Sequence, residues 1–114
     1  MSKSQRVKGA VGEREWCDFL KAQGIDAKRL LGQARDGGGD VPAPPFLWEV
    51  KRRKGMAFYK WTAQAEVAMA TAHQELRREA AGCKIPAVAA RADGKEWVVI
   101  INARDFFQIL KGSK

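Results

Sequence analysis

Two carboxylates and a lysine, Asp40, Glu49 and Lys51, stand within the stretch GGGDVPAPPFLWEVKRRKG, residues 37–55. Period-two alternation puts Leu47, Glu49 and Lys51 on one face of an apolar strand and Trp48, Val50 and Arg52 on the other. Carboxylates in such a strand cost free energy unless something pairs with them. Alone, a Glu-x-Lys pattern also fits an edge strand with one solvated face, where Glu49 and Lys51 form a weak surface pair. Asp40 changes this, because a tight hairpin brings it beside Glu49. Adjacent carboxylates repel unless one is protonated or a cation bridges them. Oxygen-rich carboxylate sites suit Mg²⁺ or Mn²⁺, keep several waters and accept a substrate phosphate. A metal acidifies its water for attack on phosphorus and offsets charge on the leaving oxygen, with Lys51 beside that water or the phosphate.

The cations that follow fit a phosphate backbone. Lys51, Arg52, Arg53, Lys54 and Lys60 occur with no acid among them. A charge run is usually a solvated face, but this one continues directly from the strand that carries Glu49. Phosphate contacts supply most nonspecific affinity for nucleic acid and make it salt-dependent. Phe58, Tyr59 and Trp61 come next and suit either stacking on exposed bases or helix packing.

The elements that must position these groups read as α-β-β-β-α-β-β-α. Val11, Cys17, Phe19 and Leu20 share one face of a helix over 8–23, with Trp16 at its edge and Gly24 closing it. IDAKRLL, 25–31, is a first strand, and the glycine-rich 32–39 is a loop. Asp40 and Val41 begin a second strand, PAPP turns, and FLWEVKRR, 46–53, is a third. An alanine-rich helix spans 61–82, closed by Gly82. IPAVAARA and EWVVIINA flank a DGK hairpin signal. A last helix covers 102–112, with Asn102 as N-cap and Asp105 three residues on. The class is α/β (α+β), a mixed central sheet of about five strands flanked by helices. Phe106, Phe107, Ile109 and Leu110 crowd the last helix, for core packing or for a dimer interface.

The chain's 114 residues make one domain, 1–114, with 1–7 expected as a flexible basic arm. A 46% hydrophobic content argues against general disorder, and a net charge of +8 with pI near 9.9 points to a polyanionic partner. No apolar run approaches a membrane span and the N-terminus lacks an apolar signal core, so the expected location is cytoplasmic, in a prokaryotic cell or a virus-infected host. Cys17 and Cys83 form no CxxC pair and read as reduced helix cysteines. His73, the one histidine, reads as a surface residue, which weakens Ser-His-Asp, Cys-His and histidine-zinc chemistries.

GGGDV … WEVK resembles the D-(X)n-E-X-K motif of the PD-(D/E)XK nuclease superfamily, with Gly39 where the motif name has proline. KGAVGEREW, 8–16, looks like the first helix of archaeal-type Holliday junction resolvases, where lysine-glycine precedes Glu-Arg-Glu. The hairpin at Asp40, EVKRRKG, a glutamine-bearing helix and IPAVAARADGKEWVVI follow in matching order, over roughly residues 6–107. The resemblance implies a restriction-endonuclease-like core, a homodimer, and paired metal-dependent nicks across four-way DNA junctions that leave 5′-phosphates. It implies that Asp40, Glu49, the Val50 carbonyl and Glu13 serve the metal, Mg²⁺ with Mn²⁺ as substitute, and that no small-molecule cofactor is needed. Glu13, Asp40, Glu49, Lys51 and Gln64 are the implied catalytic set, with Lys51 positioning or activating water and Gln64 supporting it. Lys8, Arg14, Arg35, Arg52, Arg53, Lys54 and Lys60 are the expected DNA contacts. In GQARDGGGD the serine often present in the family's loop is missing, leaving Gln33, Arg35 and Asp36 as its polar residues. Arg14 also fits an i,i+4 pair with Asp18, and Asp36 a turn. The rivals are another nuclease of the superfamily and a non-catalytic DNA-binding protein of the same fold. An RNA-binding or ribosome-associated protein fits the charge but leaves Asp40 and Glu49 without a purpose.

Overall fold

The computed structural model describes residues 3–29 and 39–112, with side chains described for 10–29 and 41–112. Its elements are α1 (Lys3–Ala22), β1 (Gly39–Ala43), β2 (Phe46–Arg52), α2 (Phe58–Gln74), a 3-10 turn (Arg78–Ala80), β3 (Ile85–Arg91), β4 (Val98–Ile100) and α3 (Ala103–Leu110). The class is α+β. A four-stranded mixed sheet runs in the order β1-β2-β3-β4, with β2 and β3 parallel and the outer pairs antiparallel. The parallel step requires a crossover, and α2 supplies it.

Helices cover both faces of this sheet, so its central strands are buried twice over. On one side α1 brings Trp16, Cys17 and Leu20 onto Val41, Ala43, Trp48, Val50, Ala87 and Ala89. Trp16 meets Trp48 edge-on at 4.9 Å, an arrangement aromatic pairs prefer. On the other side Trp61 and Ala65 of α2 pack on Val88 and Ala90, while Leu47 meets Ala72, Ala80 and Cys83. Strands buried on both faces read as continuous apolar runs, and IPAVAA of β3 fits that rule.

Five expectations change. Residues 25–29 form no strand, and among the described residues the sheet has four strands rather than five. Here Ile25 N–H donates to the Leu20 carbonyl, Ala27 tucks under α1 and Ile25 stays exposed, so the segment continues the helix cap instead of pairing. The first helix starts at Lys3, so residues 3–7 extend it where an arm was expected. The long helix begins at Phe58 and ends at Gln74, well before Gly82. Its end is a Schellman pattern: Arg77 N–H donates to the Ala72 carbonyl and Leu76 N–H to His73, with Leu76 at φ 55 in the place glycine usually takes. Asn102 holds the N-cap position of α3 as expected but makes no side-chain cap bond, and its amide nitrogen donates to Glu66 Oε2 at 3.0 Å. Cys83 is buried, but in the turn before β3 rather than in a helix. The hairpin expected around DGK joins β3 to β4, with Gly94 at φ 74 in its turn.

Both cysteines are free and buried, and burial pushes each thiol's pKa up. His73 is exposed, its Nε2 within 3.2 Å of the Ala80 carbonyl, where it braces the turn after α2. Among the described residues no helix is long and apolar enough to cross a membrane.

Candidate active site

The β1–β2 hairpin sets the first fact of the site. Asp40 stands directly opposite Glu49 in its register, and Gly39 opposite Val50. Residues directly opposite in an antiparallel pair are neighbours on one face. Val41 and Ala43 pack under α1 with Trp48 and Val50, so Asp40 belongs to the other face, with Glu49 and Lys51.

On that face the charges are not solvated. Glu49 is 6% exposed and Lys51 3%. Lys51 Nζ lies 3.4 Å from Glu49 Oε2. An edge strand with a wet face, the simpler reading of Glu-x-Lys, is excluded because β2 is internal and capped by α2. The Lys51 amine is pushed below its ordinary pKa, first by burial; Arg53 and Lys60 add to this, while Glu49 opposes it. Arg53 and Lys60 therefore stand close enough for their charge to be felt at Lys51. Arg53 continues the 49, 51, 53 alternation past the strand end, with its Nη1 donating to the Arg52 carbonyl at 3.1 Å. Lys60 enters from the first turn of α2.

Gln64 lies one helical turn beyond Lys60, between the sheet-facing Trp61 and Ala65. Its Oε1 is buried without a hydrogen-bond donor among the described residues. A buried acceptor without a partner costs about 1–3 kcal/mol. Gln64 is thus not a plain solvated residue, and its amide is available to whatever occupies the face.

The other expected residues are placed elsewhere. Glu13 sits in the α1 layer and accepts from Arg29 Nε at 2.9 Å. Arg52, by the same alternation that exposes Lys51 to α2, turns to α1. It bonds Glu15 of α1 and Asp93 of the β3–β4 turn, and these two carboxylates, Asp93 foremost, hold its pKa above the ordinary arginine value. It ties three elements together and is not an open phosphate contact. Arg14 and Lys54 are exposed, and Arg14 has no pair with Asp18 or any other acid among the described residues. Val50 is buried in the α1 core, with Ala89 beside it in β3. Lys8 belongs to α1, with its side chain outside the described residues; Arg35, like Gln33 and Asp36, lies outside them entirely. Among the described side chains no group of three or more His, Cys, Asp or Glu gathers into a metal-sized cluster.

Register, ion pairing and charge therefore bring together Asp40, Glu49, Lys51, Arg53 and Lys60, with Gln64 one turn further along α2. Sequence reasoning missed the Glu15–Arg52–Asp93 tie, although period two already put Arg52 on the Trp48 face. A separate groove of about 500 Å³ opens on the α1 side, lined by Asp18, Phe19, Arg91, Lys95 and Trp97 among others, and shares no residue with this set. Comparison with protein-family models, with curated proteins and with solved structures gives no match.

Proposed function

We propose that the chain is a divalent-metal-dependent DNA endonuclease of the PD-(D/E)XK type, with a restriction-endonuclease-like core, that cuts four-way junctions as a homodimer. The observation that carries this is the buried Glu49–Lys51 pair on an internal strand, with Asp40 directly opposite Glu49. A charged pair in that place is a poor stabiliser, since desolvation offsets most of its attraction. Chemistry accounts for it better than folding does.

The donor set fits Mg²⁺ or Mn²⁺. Asp40 and Glu49, opposite each other in the register, would supply hard oxygen ligands, and on α2 Gln64 Oε1 is a buried oxygen without a partner among the described residues. Asp40, Glu49 and the Val50 carbonyl would hold the ion, which supplies an acidified water and offsets charge on the phosphate. The rest is the work of the chain. Burial lowers the Lys51 pKa against the pull of Glu49, which makes the amine a readier proton-transfer group for the attacking water. Gln64 orients that water or the lysine. Arg53, Lys54 and Lys60 hold phosphates on either side. Glu13 and Arg52 are left out of this machinery, because each is bound to a partner in the α1 layer.

That position of Glu13 favours a second reading, a nuclease of the same superfamily without junction selectivity. One experiment separates the two. A labelled immobile four-way junction and a linear duplex of the same sequence are incubated with wild type, Asp40→Asn and Lys51→Ala, in Mg²⁺ or EDTA. Paired nicks in the junction alone, dependent on Mg²⁺ and lost in Asp40→Asn, are the expected result. Equal cutting of both substrates discards the junction. No cutting by wild type, with salt-sensitive binding intact, leaves a DNA-binding protein.

A further inference from the structure

Three aromatic residues open α2, and the fold treats them differently. Trp61 is 5% exposed and packs against Val88 and Ala90. Phe58 is 55% exposed and Tyr59 93% exposed. Neither makes a ring–ring contact among the described residues. Helix packing thus explains the tryptophan and leaves the other two rings in water. Scattered exposed apolar residues need no explanation, but these have a particular setting. Ala57, just before them, packs into the Trp61 cluster with Ala90, and Ala90 stands opposite Lys51 in the β2–β3 register. The rings therefore stand at the rim of the Glu49–Lys51 face. Met56 beside them is also exposed. From Lys51 to Ala65 the chain carries five cations and no acid. Exposed rings interleaved with cations are what a strand of nucleic acid with splayed bases requires, one component for the base and one for the backbone.

We propose that Phe58 and Tyr59 form a stacking platform for an unstacked DNA base, flanked by Arg53, Lys54 and Lys60 on the phosphates. The platform would direct the site to DNA whose bases are already exposed, at branch points and strand ends, in preference to continuous duplex. It takes from the proposed function only that DNA is the ligand, and it does not require cleavage. Stacking is sequence-tolerant, so the preference would be for structure and not for sequence.

The test is run in EDTA, where binding is read without cutting. 2-Aminopurine is placed at the branch of an immobile junction or in the middle of a linear duplex, and fluorescence and anisotropy are followed on titration. For wild type, the branch label is quenched on binding and the duplex label is unchanged. Tyr59→Ser combined with Phe58→Ala removes the quench and weakens junction binding about tenfold, while the slope of affinity against salt stays the same. Tyr59→Trp keeps both. A double variant that binds and quenches like wild type overturns the platform. So does one that alters only self-association in sedimentation, which would make the rings a protein interface. The same proteins assayed in Mg²⁺ separate the two proposals: cutting with no ring-dependent quench removes the platform and leaves the nuclease, whereas a ring-dependent quench without cutting keeps the platform and removes the nuclease.

Discussion

The two faces of β2 are equally dry and chemically opposite. Toward α1 the strand presents Trp48 and Val50, packed against Trp16, Cys17 and Leu20. Toward α2 it presents Leu47, Glu49 and Lys51, with the last two at 6% and 3% exposure. On the first face burial and stability are the same thing, at about 25 cal/mol per Å² of apolar surface. On the second, two charges have been taken out of water, and their attraction does little better than repay the desolvation. One strand thus shows which residues the fold needs and which it merely tolerates.

That contrast can be broken most sharply at Lys51. In Lys51→Met the nuclease rate should fall about 10²–10⁴-fold, the usual worth of a proton-transfer group. Stability in urea should fall as well, by about 3–5 kcal/mol, because methionine leaves the Glu49 carboxylate buried without its cation, whereas Glu49→Leu combined with Lys51→Met should hold or raise it. A double variant that loses stability as well as rate would mean that the pair is structural after all. The single variant tests the pH dependence. Native Lys51 loses its proton at lower pH than the unfolded chain, whose lysine stays charged up to the ordinary value of 10.5. Between those two points the unfolded state binds more protons, so wild-type stability should climb as pH rises toward 10.5, with the penalty at its fullest below the depressed native pKa. Lys51→Met should lack that slope.

On the opposite face, Trp48→Ala should cost about 3–5 kcal/mol in urea unfolding and leave the rate per folded molecule near wild type. Gly12→Ala probes the seam between α1 and β2. Its Cβ would lie 2.7 Å from Arg52 Cγ and 3.5 Å from Val50 Cγ1, so the helix or the arginine stem must shift, at about 1–3 kcal/mol. Activity loss beyond the unfolded fraction would show that the α1 side transmits to the Lys51 side. The smallest effect belongs to Asp93→Asn. Its carboxylate is 78% exposed, so releasing Arg52 on that side should cost under about 1 kcal/mol, and less in high salt.

The site was more legible than the frame around it. Alternation along FLWEVKRR placed Glu49 and Lys51 together, and the distance from Asp40 to Glu49 with prolines between them fixed a hairpin register that the structure bears out. Both signals are local and rest on period two. The errors share another origin, in backbone groups whose partners the side chains do not announce. Leu76 closes α2 in a left-handed conformation that favours glycine, so Gly82 misled. Asn102 stands at the N-cap as its type suggested, yet its side chain makes no cap bond. Of residues 25–29 only Ile25 is a strong strand former, and Asp26, Ala27 and Lys28 are of types depleted in strands, so the expectation of a strand rested on too little. For Arg52 the pattern was right and composition overruled it: a cation in a basic run was counted as a DNA contact although its face pointed to α1.

Except for Asp40, every residue gathered at the Lys51 face comes from one uninterrupted segment, residues 49–64. The strand end, the turn and the first two turns of α2 form one local stretch, joined to the remaining chain by the β2 ladders, by the bonds of Arg52 to Glu15 and Asp93 and by apolar contacts. The same short stretch thus serves both layers at once: its alternate positions Val50 and Arg52 belong to the tryptophan side, so a change of its backbone would reach both faces together.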